Sequence, residues 1–314
     1  MVEIIVGAIA LAIDAGAVIL IAAFGELLGE RSGIFNMGLE GTMAMGAVAA
    51  FITVTNVPNP YVGLAAAILT GVIFGSIMGF SVVALKANQV ISGLALGFVG
   101  TGLARHIGAP YAGMLLTARF VKLNISGLSD LPVVGRIFFN HDPVVYFTYL
   151  VLPVAISFLL YHTRHGINLR ACGENPAAAD STGVPIQRIR FLYACVGGAF
   201  AAAAGAYLVL AFAPTWAEGV TGGRGWIAVA LVIFSQWRPN ILVLGSLLFG
   251  ITTSLGFVGQ IQGWGAYSNI LAMFPYISTI ILLAIPGFLV RTGRRKAGTF
   301  PAGLGVPFFR ENSG

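Results

Sequence analysis

The chain has 314 residues, of which 57% are hydrophobic and only 9% charged, with a formal net charge of +6 and a mean hydropathy of +0.90. A water-soluble domain carries roughly 25% charged residues, so this composition excludes one and leaves a chain that turns apolar surface toward lipid. The basic excess sits in a few loops and near the end of the sequence; that is the cytoplasmic bias of Lys and Arg in membrane proteins rather than the footprint of a nucleic-acid binder.

A membrane helix needs about 20 mostly apolar residues. In chain order, such runs are Ile4–Phe24, Met37–Val54, Val62–Leu85, Val144–Tyr161, Phe191–Phe212, Ile241–Val258 and Ile270–Val290. Two shorter runs, Val90–Ala104 and Trp226–Phe234, read as broken or re-entrant segments, which in transporters border the pathway. The fold class is therefore all-α, a polytopic transmembrane bundle of about eight to ten spans by the length rule, and residues 1–314 read as a single transmembrane domain. No basic stretch precedes the first run, so it reads as a retained span rather than a cleaved signal.

Glycines at four-residue spacing, Gly71, Gly75 and Gly79, then Gly93 and Gly97, share a helix face and predict close helix packing. Trp216, between two runs, reads as an interface anchor. The segments 162–190 and 291–296 are rich in Arg and Lys and predict a cytoplasmic side that includes the C-terminus. The Arg105–Asp142 loop, although it holds four basic residues, falls outside in this scheme.

No Gly-Lys dipeptide occurs, so there is no phosphate-binding Walker A loop. Neither a His-Glu-x-x-His nor a Cys-x-x-Cys motif is present, and His162 and His165 lack an evident third ligand. Cys172 and Cys195 are too few for a disulfide scaffold. The sequence thus predicts neither cofactor nor metal, and no catalytic residues.

The polar stretch Gly166–Arg190, GINLRACGENPAAADSTGVPIQRIR, contains a complete short-helix signature. Asn175 suits the N-cap, Pro176 the first helical position and Gly183 the left-handed C-terminal position, with Pro185 just beyond. It predicts a helix over Pro176–Thr182, too short to stand alone in water. Such a helix packs either on its own bundle or against a partner.

That stretch, LRACGENPAAADSTGV from Leu169, resembles the coupling-helix segment of ABC importer permeases of the branched-chain amino acid, ribose and nucleoside permease family. GERSGIFNMGLEG (Gly29–Gly41), KANQVISGLALG (Lys86–Gly97) and GRGWIAVALVIFSQWRPN (Gly223–Asn240) are similar to further segments of that family and occur in its order. The nucleoside or simple-sugar branch is the nearer match. Ser235-Gln236 departs from the glycine and basic residue often found there in relatives. The resemblance implies that Arg170, Gly173, Glu174, Asn175, Pro176, Ala177, Ala178 and Gly183 form an ATPase-coupling element. It also implies a separate cytoplasmic ATP-binding subunit, a second, homologous permease subunit and an extracytoplasmic solute-binding protein, in the cell membrane.

Carboxylates inside spans are costly and usually face a cavity or the bundle interior. Asp14 and Glu40, with Asn36, Asn88 and Gln89, are the candidate pathway residues; internal hydrogen bonding is the competing reading of each. Two other functions stay open: a branched-chain amino acid permease of the same family, and a lone ion-coupled carrier using Asp14 and Glu40. A membrane enzyme is disfavoured by the lack of clustered catalytic residues.

Overall fold

The computed structural model describes residues 2–261 apart from 117 and 130, scattered positions between 273 and 288, and residues 300–310. Twelve α-helices are described: α1 (Val2–Arg31), α2 (Leu39–Asn56), α3 (Pro60–Gly79), α4 (Gln89–Gly108), α5 (Val134–Phe138), α6 (Pro143–Tyr146), α7 (Leu152–His162), α8 (Arg164–Glu174), α9 (Pro176–Ser181), α10 (Ile186–Tyr207), α11 (Arg224–Ser235) and α12 (Pro239–Ile261). π-helical turns extend α3 to Ala84 and α10 to Phe212 and join α6 to α7. The last of these adjoins Pro153, which has no N–H to continue the α-ladder.

Six of the described helical segments are long and apolar enough to cross a membrane. The central α2 is enclosed by α3, α4, α10 and α11. Shielded from lipid by protein, it keeps buried Glu40 and Thr42. The expected run Ile270–Val290 lies largely outside the described residues.

Two boundaries differ from the sequence reading. The first span does not stop at Phe24 but runs to Arg31, because Glu26 and Glu30 are buried and meet protein donors. Val90–Ala104 is not a short segment: capped by Asn88, its helix begins at Gln89 and runs unbroken to Tyr111.

The glycine stripes set the close contacts. On α3, Gly71 and Gly75 lie against the backbone of α10 at Gly198 and Ala194, and Gly79 meets Phe191, so the two helices run antiparallel. Gly38, at the α2 start, and Gly41 meet Gly93 and Gly97 of the parallel α4. A Cβ at Gly41, Gly71 or Gly198 would strike a facing backbone, and backbone cannot yield as a flexible side chain can. Trp216 is not an interface anchor: it is 3% exposed, lies against Gly108 and stands 6.2 Å from the Phe51 ring.

Candidate coupling surface and the break inside the bundle

The segment singled out in the sequence forms two helices at one end of the bundle. α8 follows Thr163, whose hydroxyl accepts from the Gly166 N–H at 3.0 Å. α9 follows Asn175, whose side-chain oxygen accepts from the Ala178 N–H at 3.0 Å. Pro176 occupies the first turn, and Gly183 adopts φ +85° where the helix ends. Capping residue, first position and C-terminal glycine are those expected, and the helix ends one residue sooner, at Ser181.

Burial divides α9 into two faces. Ala179 points into the protein, while Asn175, Ala177, Ala178, Ser181, Thr182 and Gly183 are exposed. Glu174 is exposed too and reaches Arg31 at 3.6 Å. Gly173 is buried against the Arg31 carbonyl, where no Cβ fits. Arg170 lies over the Tyr161 ring at 5.2 Å, a cation–π contact that steadies α8 on α7. Of the predicted coupling residues, Glu174, Asn175, Ala177, Ala178 and Gly183 are exposed, Arg170 and Pro176 are half-buried, and Gly173 lies beneath them.

Behind this patch stands Arg190, near the start of α10. Only 3% exposed, it donates to four carbonyls: Ser32 at 3.2 Å, Cys172 at 3.4 Å, Gly303 at 3.2 Å and Val306 at 2.9 Å. Those carbonyls belong to the α1–α2 turn, to α8 and to the segment 300–310. One guanidinium therefore binds three separated pieces of chain, using the forked donors that only Arg provides. Burial pushes the neighbouring Cys172 thiol up to about 11, opposed by the Arg190 charge. Lys86, outside the spans, is held below its usual value by burial and then by Arg190.

The second feature is a break in the membrane helices. After α10 the chain passes Trp216 and turns inward, and α11 begins only at Arg224. Glu40 meets it there. Its Oε1 accepts from the Thr221 hydroxyl at 2.6 Å and the Gly223 N–H at 2.8 Å, and its Oε2 accepts from the Gly225 N–H at 2.7 Å. Glu40 is 6% exposed. A carboxylate at the first turn of a helix satisfies free N–H groups and complements the helix dipole. The far end of α11 is held by Trp237, whose indole donates to Glu30 and whose carbonyl accepts from Arg31 at 3.1 Å.

The remaining pathway candidates fall into separate places. Asn36 is buried; its N–H donates to Glu26 at 3.0 Å and its side chain accepts from the Gly38 N–H at 2.9 Å. Gln89 is buried and grips the same turn, accepting from Phe35 N–H at 2.7 Å and donating to the Gly33 carbonyl at 3.2 Å. Asn88 is exposed and caps α4 through the Ile91 N–H at 3.1 Å. Asp14 lies toward the other end, between Lys122 at 3.4 Å and His141 at 2.5 Å. The sequence reading missed Arg190, Glu26, Glu30 and Trp237. The spacing of Glu26 and Glu30, one helical turn apart and interleaved with Leu27 and Leu28, was the available signal.

Among the described residues, no three His, Cys, Asp or Glu side chains converge as a metal site; His162 stacks on Phe158 and His165 on Tyr193.

A multi-pass helical bundle with a broken internal helix and a short capped helix presented at one end is the build of a membrane permease. The family described as "Branched-chain amino acid transport system / permease component" matches residues 8–286. The Haloferax volcanii protein named "Putative glucose ABC transporter permease protein TsgC13" is 37% identical over 87% of this chain and 89% of its own. The guanosine ABC transporter permease protein NupQ of Bacillus subtilis is 31% identical over 93% of each chain. The nucleoside ABC transporter permease protein NupC of Lactococcus lactis is 32% identical over 85% of this chain and 88% of its own. No solved structure matches significantly. The chain belongs to this permease family: it is a membrane-spanning transport subunit of the ABC type and not an enzyme, and ATP hydrolysis belongs to a separate subunit.

Proposed function

We propose that this permease imports a small polar solute, a nucleoside or a simple sugar, by alternating access driven from a cytoplasmic ATP-binding subunit that docks on α9. The observation that carries the docking is the capped, outward-facing α9 patch, Glu174–Ala178 with Gly183. A short rigid helix passes on the closure of a partner as a rigid-body shift. The solute class rests on the relatives, which are named for glucose, guanosine and nucleosides.

The α8–α9 end is the cytoplasmic one in this reading. Arg31, Lys86, Arg164, Arg170, Arg188, Arg190, Arg238 and Arg310 gather there, against Arg105, Arg119, Lys122 and Arg136 toward the other end. That asymmetry matches the positive-inside bias and supports a cytoplasmic side for the 300–310 segment. The opposite end would receive an extracytoplasmic solute-binding protein. A second, homologous permease subunit completes the pathway, and residues 1–314 act as one permease domain.

The pathway runs beside the break at α11, since half-helix ends in transporters border the transported solute. Glu40 fixes that end, and Asn36 and Gln89 fix the turn before α2. Asp14 and Asn88 mark the outer and inner approaches. Coexpression with the candidate ATP-binding subunit tests the docking. Wild type co-purifies with it, and Ala178→Arg, a bulky charge on the exposed face, removes it. Equal recovery of the subunit with both proteins sinks the reading.

A further inference from the structure

α9 has six residues, and helices shorter than about 12–15 residues are marginal in water even with favourable sequences. Its cap and one inward residue, Ala179, do not make it a lever. What lies along its flank is residues 300–310. Gly303 packs on the Pro176 ring, so closely that a Cβ there would press on Pro176 and on the Gly173 carbonyl. The Gly303 N–H donates to that carbonyl at 2.7 Å. At the other end of α9, Arg310 pairs with Asp180 at 3.1 Å. The segment therefore touches the helix at its first and its fifth residue.

The same segment is anchored to the bundle. Phe300 meets the Trp237 ring edge-on at 5.4 Å. Pro301, Gly303 and Leu304 are buried. The Gly305 N–H donates to the Gly33 carbonyl at 3.3 Å. Gly303 and Val306 supply two of the four carbonyls bound by Arg190. Residues 300–310 thus tie α9 to the α1–α2 turn, to α10 and to Trp237 at the far end of α11, the helix whose start Glu40 holds.

We propose that residues 300–310 are a splint for the coupling helix: they hold α9 rigid and join it to the membrane helices, so that ATP-driven transport depends on them. The proposal rests on the reading of α9 as the docking helix. Arg190 and Gly303 are positioning residues in it; neither touches the solute.

The test uses the full complex reconstituted in proteoliposomes, with three variants: a stop after residue 299, Gly303→Leu to prise the segment off α9, and Ala302→Leu as a control at an exposed neighbour. Amide hydrogen exchange at 178–184 reads α9 directly, and solute moved per ATP hydrolysed reads coupling. The stop and Gly303→Leu speed exchange at these amides about tenfold or more, as for a short helix left unsupported, and lower the solute-to-ATP ratio severalfold, while Ala302→Leu changes neither. Should both disruptive variants fail to insert, the charge pair decides: Arg310→Asp lowers the ratio, and adding Asp180→Arg restores it. Unchanged exchange and coupling in the disruptive variants, or no restoration by the swap, overturns the splint while Ala178→Arg still blocks ATPase capture. If Ala178→Arg captures as wild type does, the docking reading falls and the splint with it.

Discussion

The Arg190 cluster and the opposite end of the bundle hold charge by different means, although ion pairs also lie on the rim of the α8–α9 end, Arg31–Glu174 and Arg310–Asp180. At the α8–α9 end, buried Arg190 is surrounded by backbone carbonyls from three chain segments. At the other end, charges pair with charges, Lys122 with Asp14, Arg136 with Glu3 and Arg105 with Glu218, while the His141 ring hydrogen-bonds Asp14. The first arrangement joins main chain to main chain and leaves no carboxylate to titrate or be screened. The second holds a long loop by side chains, several of them well exposed. In the proposed reading the bundle is driven from the α8–α9 end, which needs to be stiff, and the opposite loop, facing a solute-binding protein, can remain adjustable.

The comparison breaks most visibly at Arg190. Arg190→Leu strands four carbonyls, three of them on the buried residues Ser32, Cys172 and Gly303, and hydrogen bonds to a charged group contribute about 1.5–3 kcal/mol each. The expected loss is about 3 kcal/mol or more, read as a lower unfolding midpoint in detergent, with Lys restoring only part of it because its three donors cannot reproduce the fork. If Leu melts like wild type, the carbonyl clamp is not what holds this end.

Glu40→Ala comes next. It leaves the Thr221 hydroxyl and two buried N–H groups without their acceptor, at about 1–3 kcal/mol for an unsatisfied group. Solute uptake should fall further than recovery of the assembled complex, because the start of α11 loses its hold. Equal falls in both would make Glu40 a purely structural residue.

Asn175→Ala removes a helix cap, worth about 1 kcal/mol. It should weaken ATPase capture measurably without altering the melting of the bundle, and a drop in both would place α9 inside the folding core.

Asp142 sharpens the contrast by pH. It caps α6 through the Val144 and Val145 N–H groups and accepts from the Tyr207 hydroxyl at 2.9 Å, yet burial raises its carboxyl above the ordinary carboxylate value. A raised folded value favours the protonated form. Its stabilisation is complete below the ordinary carboxylate value and is lost as pH rises through the raised one. Asp142→Asn, still a good cap, should gain on wild type as pH increases across that window. A constant difference in unfolding midpoint refutes this. The smallest effect belongs to the exposed pairs: Arg136→Gln or Arg105→Gln should cost under about 1 kcal/mol, and less in high salt.

Much of this was legible in the sequence where the cause is local. Asn175, Pro176 and Gly183 specify a helix by cap, fixed φ and left-handed stop, and the fold obeys them. The glycine stripes announced close packing because a missing side chain acts through its immediate neighbours. Arg190, however, gains its role from carbonyls up to 158 residues away, which no local pattern encodes. Trp216 looked like an anchor because depth cannot be read from composition, and the turn that buries it against Gly108 is a tertiary event. Glu40 was marked for its cost in the membrane, but the donors that offset it lie 181 to 185 residues further on.

The most direct test of ATP-driven import is uptake of labelled nucleosides and simple sugars into proteoliposomes holding this permease, its partner permease, the ATP-binding subunit and the solute-binding protein. Uptake that requires ATP and the ATP-binding subunit, and that disappears with Ala178→Arg, is the predicted result. Uptake by the permease alone under a proton or sodium gradient, with ATP absent, would contradict it and make Asp14 and Glu40 ion-coupling residues.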